Sequence, residues 1–115
     1  MSYALYVCLQ DENKIAAFAM DPDTGRLTAQ PDVPAAGGPS VLAISPERRV
    51  LYVGHRSVPA ISSLSIDRAS GRLGLLGTVS LEHAPTYLAP DRTSRYLLSA
   101  YYQGGCAAVH RLRKV

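Results

Sequence analysis

Five side chains in this sequence have the chemistry to hold a small anionic ligand: Arg56, Tyr102, His83, His55 and Gln103. A guanidinium carries a permanent charge in a planar fork that matches carboxylate or phosphate oxygens. An imidazole exchanges protons near neutral pH, and a phenol and an amide provide directional hydrogen bonds. Gln10, Asp11, Glu12, Asn13 and Glu82 are further polar candidates. No nucleophile elbow, phosphate-cradling glycine loop or metal-ligand spacing accompanies them, so neither a metal nor a cofactor is expected and motifs identify no catalytic group. Each candidate also has a structural reading. A loop arginine is commonly just solvated. His55 adjoins Arg56, so in an extended segment their side chains point opposite ways. Tyr102 can pack its ring between sheets, and His83 lies in a proline-flanked connection, exposed or acting as a base. Gly37-Gly38 and Gly104-Gly105 read as turn glycines.

A repeat positions these residues. Leu5-Tyr6-Val7 recurs as Leu51-Tyr52-Val53 and, more loosely, as Tyr96-Leu97-Leu98. Asp23-Thr24-Gly25-Arg26-Leu27 recurs as Ala69-Ser70-Gly71-Arg72-Leu73, and Pro39-Ser40-Val41-Leu42-Ala43 aligns with Pro85-Thr86-Tyr87-Leu88-Ala89. The offset is about 46 residues throughout, without a gap. Within one period the signals are those of strands. Val41-Leu42-Ala43-Ile44 stops at Ser45-Pro46, Val50-Leu51-Tyr52-Val53 is β-branched and aromatic, Ile61 to Ile66 alternates imperfectly, and Leu73 to Val79 follows a glycine turn. Four short strands per repeat make a twisted antiparallel sheet, the blade of a β-propeller. Helical repeats of similar period would need a 3.6-residue periodicity that no window shows. A β-sandwich with chance similarity between its halves is the plainer alternative.

The expected fold is therefore all-β, a propeller segment of about two and a half four-stranded blades: blade one over 3–33, blade two over 40–79 and an incomplete blade three over 85–112. With strands lettered a to d from the channel outward, the chain enters at strand b near Tyr3 to Leu9 and ends in strand c at Ala107 to Leu112. Closed propellers typically have four to eight blades. The sequence is thus expected to be the N-terminal portion of a longer chain, its remaining blades completing the ring, with self-assembly of several copies as the alternative. Because strands alternate direction, the b–c loops and d–a connections emerge at one end of the channel, and all five candidates fall there.

Composition narrows the function. The chain has 115 residues, 47% of them hydrophobic, enough for a modest core. The net charge of +3 is spread along the sequence, with one cluster at Arg111, Arg113 and Lys114 that reads as a solvated face, and nucleic acid is not an expected partner. No apolar run approaches a membrane span and no basic leader precedes Tyr3 to Leu9, so the expected location is cytoplasmic, without membrane association. Cys8 and Cys106 have no zinc or redox spacing and are expected to be buried as small hydrophobes.

The run Ser45-Pro46-Glu47-Arg48-Arg49 leading to Leu51-Tyr52-Val53-Gly54-His55-Arg56, then Ala84-Pro85-Thr86-Tyr87-Leu88, Asp91 and Tyr101-Tyr102-Gln103-Gly104-Gly105, resembles the opening blades of the lactonase-type seven-bladed propellers, the bacterial 6-phosphogluconolactonase and carboxymuconate cyclase relatives. The turn Asp23 to Thr28 is similarly placed in that family, and the resemblance covers nearly the whole chain. It implies hydrolysis of a sugar-acid lactone carrying a phosphate, with a small anionic lactone or sugar acid as partner. On the same resemblance Arg56 matches a family arginine and would meet an anionic group, and Tyr102 matches a tyrosine that would donate a hydrogen bond. The family's histidine-rich segment lies in later blades, and His55 stands where the bacterial pattern is usually apolar, so it is not that histidine. A non-catalytic ligand-binding scaffold, with the isolated segment inactive, is the alternative.

Overall fold

The computed structural model describes residues 2–113. Ten strands follow in chain order: β1 (Tyr3–Leu9), β2 (Lys14–Met20), β3 (Leu27–Pro34), β4 (Pro39–Ile44), β5 (Val50–His55), β6 (Ala60–Ile66), β7 (Leu73–Ser80), β8 (Tyr87–Pro90), β9 (Tyr96–Tyr101) and β10 (Cys106–Arg111). They form three antiparallel sheets, β1-β2-β3, β4-β5-β6-β7 and β8-β9-β10. Each is a meander of hairpins, and β4 approaches both β1 and β8. The fold is all-β, as the strand periodicity indicates.

The middle sheet explains why its strands are apolar on both faces. Val50 and Tyr52 of β5 point to one side and join Ile61, Leu88 and Leu97 in a core shared with the third sheet. Leu51 and Val53 point the other way and join Ile15 and Leu64 in a core shared with the first. A strand covered on both faces reads as a nearly continuous apolar run. The imperfect alternation of β6 has the same origin, since Ile61 serves one core and Leu64 the other. Equivalent positions in the outer sheets lack a cover. Leu51 is 1% exposed and Leu5, one repeat earlier, 39%; Tyr52 is 5% exposed and Leu98, one repeat later, 44%.

The turns repeat at atomic detail. Asp21 Oδ1 accepts from the backbone N–H groups of Asp23 and Thr24 at 2.8 and 3.4 Å, and Asp67 Oδ1 accepts from Ala69 and Ser70 at 2.9 and 3.4 Å. Gly25 and Gly71 close these turns at φ 75° and 76°, where glycine has no Cβ penalty. At the a–b turns, Ser45 Oγ accepts from the Arg49 and Val50 N–H groups, and Asp91 Oδ1 does the same for Arg95 and Tyr96. A neutral hydroxyl and a carboxylate thus fill one role in successive repeats.

Several details depart from the sequence reading. Residues Gln10–Glu12, expected as loop, form a 3-10 turn ending at Asn13 in the left-handed region, φ 52°. β4 starts earlier than Val41, and β5 runs on to His55, because the two strands keep pairing as far as Pro39 opposite His55 across a bulge. Cys106 is exposed and Cys8 half-buried, against the expectation of two buried thiols. Cys106 begins β10, which among the described residues has no strand on its outer side. Arg111 and Arg113 are exposed, and Lys114 of the same cluster lies outside the described residues.

Candidate functional site

The loops that carry the candidate residues are stitched together at one end of the sheets. Past β5, the Arg56 N–H donates to the Gly38 carbonyl at 2.8 Å and the Ser57 N–H to the Gly37 carbonyl at 3.0 Å, tying this loop to the connection from the first sheet. Gly38 is itself held by Asn13, whose Oδ1 accepts its N–H at 2.9 Å. A Cβ on Gly38 would sit 2.3 Å from Ser57 Oγ, so the approach of the two loops requires glycine there. On the other side the Leu81 N–H donates to the Pro59 carbonyl at 3.0 Å, and the Tyr102 N–H donates to Thr86 Oγ1 at 3.0 Å. One continuous rim results, running through the loops of all three sheets.

Arg56 and Tyr102 occupy equivalent places on it, each the first residue past the second strand of its repeat. Both are exposed, Tyr102 at 86%. Their neighbours His55 and Tyr101 point the opposite way into the interfaces between sheets, following the two-residue strand period. Gln103 is exposed beside Tyr102. His83 is exposed in the connection to the third sheet, its ring edge-on to Tyr101 with centroids 6.4 Å apart, and the Gly104 backbone packs on it so closely that a Cβ there would fall 2.8 Å from the imidazole. Arg56, His83, Tyr102 and Gln103 thus share the rim.

His55 does not face it. The ring is 4% exposed, and Nε2 lies 2.7 Å from Ser62 Oγ, which lies 2.9 Å from Thr78 Oγ1. Burial pushes its pKa down; the Ala36 carbonyl acts in the opposite sense without reaching hydrogen-bond geometry, and Nδ1 is left unpartnered. A direct substrate contact by His55 would require the ring to leave this packing.

Two features escaped the sequence reading. Lys14 opens β2 at the same end and pairs with Asp32 at 3.0 Å and Glu12 at 3.4 Å; the Asp32 hydrogen bond, its charge and then Glu12 raise the lysine pKa. Ser99, buried between the second and third sheets, contacts Tyr101 OH at 2.8 Å and His110 Nε2 at 2.9 Å. The Lys14–Asp32 and Ser99–His110 pairs each join neighbouring strands of a hairpin, and only the strand register reveals them. Among the described residues no three His, Cys, Asp or Glu side chains converge so as to hold a metal ion, and no helix is long and apolar enough to cross a membrane. The rim offers a cation, hydrogen-bond donors and an imidazole, a set able to bind an anionic molecule and exchange a proton with it.

Comparison with known proteins agrees with the architecture. A family model described as "Lactonase, 7-bladed beta-propeller" matches residues 3–115. The chain is 37% identical over 109 residues to a 6-phosphogluconolactonase of Serratia proteamaculans, covering 95% of this chain and 32% of that protein. It is 35% identical to one of Pectobacterium atrosepticum over the same shares. Among solved structures, the periplasmic gluconolactonase of Pseudomonas aeruginosa superposes with a TM-score of 0.84 at 25% identity, over 94% of this chain and 32% of that one. A candidate 6-phosphogluconolactonase of Bacteroides uniformis superposes at 0.86 and 22% identity, over 96% and 33%, a likeness of fold. The chain thus spans about a third of the length of the relatives it matches.

Proposed function

The chain belongs to the seven-bladed lactonase propeller family, and from that premise we propose that the complete protein hydrolyses a sugar-acid lactone such as 6-phosphogluconolactone, this segment supplying one arc of its substrate-binding rim. The observation that carries the reading is the placement of Arg56 and Tyr102 at equivalent, exposed positions on a rim stitched through all three sheets. Ring opening requires a water that loses a proton as it attacks the carbonyl, donors for the oxyanion that forms, and return of a proton to the ring oxygen as the C–O bond breaks. Arg56 binds the phosphate or carboxylate of the substrate, Tyr102 donates to a substrate oxygen, and His83 and Gln103 line the same arc. His55 supports the loop from behind. The group that activates water comes from the other blades.

Leu5 on the first sheet and Leu98 on the third mark the faces that further blades of a longer chain cover, with assembly of copies the alternative. These uncovered faces also favour a second reading for the segment by itself, an inactive piece of scaffold. The cytoplasmic location belongs to the same proposal. The test is the hydrolysis rate of 6-phosphogluconolactone, corrected for spontaneous opening, measured for the complete protein and for the 115-residue chain. Turnover by the former and none by the latter is expected; no turnover by the complete protein discards the lactonase reading in favour of the scaffold.

A further inference from the structure

The interfaces on the two sides of the middle sheet are not alike. Between the second and third sheets, the connecting segment carries Leu81, which packs on the shared core, and His83, which covers Tyr101. One repeat earlier the corresponding positions are Ala35 and Gly37, with Ala36 where Glu82 stands. Small residues at three successive positions leave the interface between the first and second sheets unfilled, and a cavity of about 420 Å³ opens there, within the usual range for small-molecule sites.

Its walls are chiefly aliphatic, including Val33, Val53, Leu64 and Leu75, and no lining residue carries a carboxylate, ammonium or guanidinium. The exception to the apolar wall is the chain from Thr78 through Ser62 to His55. Each hydroxyl of this relay carries one proton and can also accept, so with either tautomer of His55 the Thr78 hydroxyl keeps one hydrogen-bonding valence at the outer end. Thr78 stands at the exposed end of the chain, on the cavity wall, with that valence free for a ligand.

We propose that this cavity is a second ligand site, separate from the rim, for an uncharged molecule with a compact apolar body and a hydroxyl that hydrogen-bonds Thr78 Oγ1. The uncharged lining suits a neutral ligand, whereas Arg56 on the rim suits an anion, so the two sites select different chemistry. The inference rests on the cavity and the relay and is independent of the lactonase reading.

The test is a titration of the full chain with benzyl alcohol, followed by the methyl resonances of its valines and leucines, with toluene as the probe lacking the hydroxyl. Saturable shifts at Val33, Val53, Leu64 and Leu75 are expected, with benzyl alcohol bound about fivefold more tightly than toluene, the contribution of one hydrogen bond. Thr78→Val removes that preference, and Ala35→Leu, which restores the bulk that Leu81 provides at the other interface, abolishes the shifts at these methyls. Equal binding of the two probes, no saturable shift, or shifts confined to Leu5 and Leu98 on the outer sheets would overturn the proposal. If Ala35→Leu fails to fold, the probe comparison in the parent chain and in Thr78→Val decides.

Discussion

Replacing Gly54 by alanine tests the packing where β5 meets both its neighbour β4 and the third sheet. Gly54 lies in β5, is buried, and has an ordinary strand backbone, so the substitution adds a methyl group without a conformational penalty. That methyl would sit 2.4 Å from Val41 Cγ1 and 2.8 Å from Pro85 Cγ, with Leu88 Cδ1 at 3.6 Å. Carbon atoms in contact prefer about 3.5–4.0 Å, so the strands must part by more than an ångström. Val41 cannot escape by rotating freely, being β-branched on β4, and Pro85 is a ring fixed in the connection to β8. Overpacking of this kind costs about 1–3 kcal/mol. With a urea dependence of about 1–3 kcal/mol per molar, the unfolding midpoint should fall by roughly 1 M. Gly77→Ala is the control, because a Cβ there meets nothing within 4 Å; it should leave the midpoint unchanged or raise it slightly. The double variant Gly54→Ala with Val41→Ala removes the closer clash and should recover part of the loss. Equal midpoints for Gly54→Ala and Gly77→Ala in urea melts would contradict close packing of Gly54 against Val41 and Pro85.

Three further outcomes are expected. Leu51→Ala should cost about 2–5 kcal/mol in urea unfolding, and Leu5→Ala, at the same place in the preceding repeat, under about half as much; equal losses would mean that the two positions are not differently covered. Asp91 is held at about 2, first by the Thr93 hydroxyl and then by the Tyr96 and other backbone N–H groups. Its stabilising effect is therefore complete above its ordinary value near 4 and is lost as pH falls toward 2; the melting-temperature gap between the parent and Asp91→Ala should close over that window, and a constant gap would count against the turn. Burial lowers the His55 pKa below the 6.5 of an unfolded histidine, so the folded state resists protonation and stability should decline as pH falls through 6.5. Melts between pH 7.5 and 5.5 should show less of that decline in His55→Gln, and the same slope in both proteins would contradict the buried, neutral ring.

Much of this architecture was legible because both faces of the middle sheet are interfaces. Leu51-Tyr52-Val53 had to be apolar without interruption, and the glycine turns at Gly25 and Gly71 needed the same backbone, so composition and spacing both recorded the repeat. The alternation of His55 and Arg56 was also readable, since neighbours on a strand face opposite ways. Other features were hidden because they depend on the register in which neighbouring strands pair. The grip of Thr86 on Tyr102, the Lys14 pairing with Asp32, and the Ser62 and Thr78 partners of His55 appear only when strands are placed in register. Cys106 misled for a related reason. Its apolar character suggested burial, but it sits on a strand that has no outer neighbour among the described residues.

The proposed role of Arg56 is to meet the charged end of the substrate on the shared rim. Steady-state hydrolysis of phosphorylated and unphosphorylated gluconolactone by the complete protein, with and without Arg56→Ala, tests it most directly. A fall in kcat/KM of about tenfold or more for the phosphorylated lactone, and a much smaller one for its neutral counterpart, is the expected result, given the roughly 1.5–3 kcal/mol of a hydrogen bond to a charged group. Equal losses for both lactones, or none for either, would contradict it.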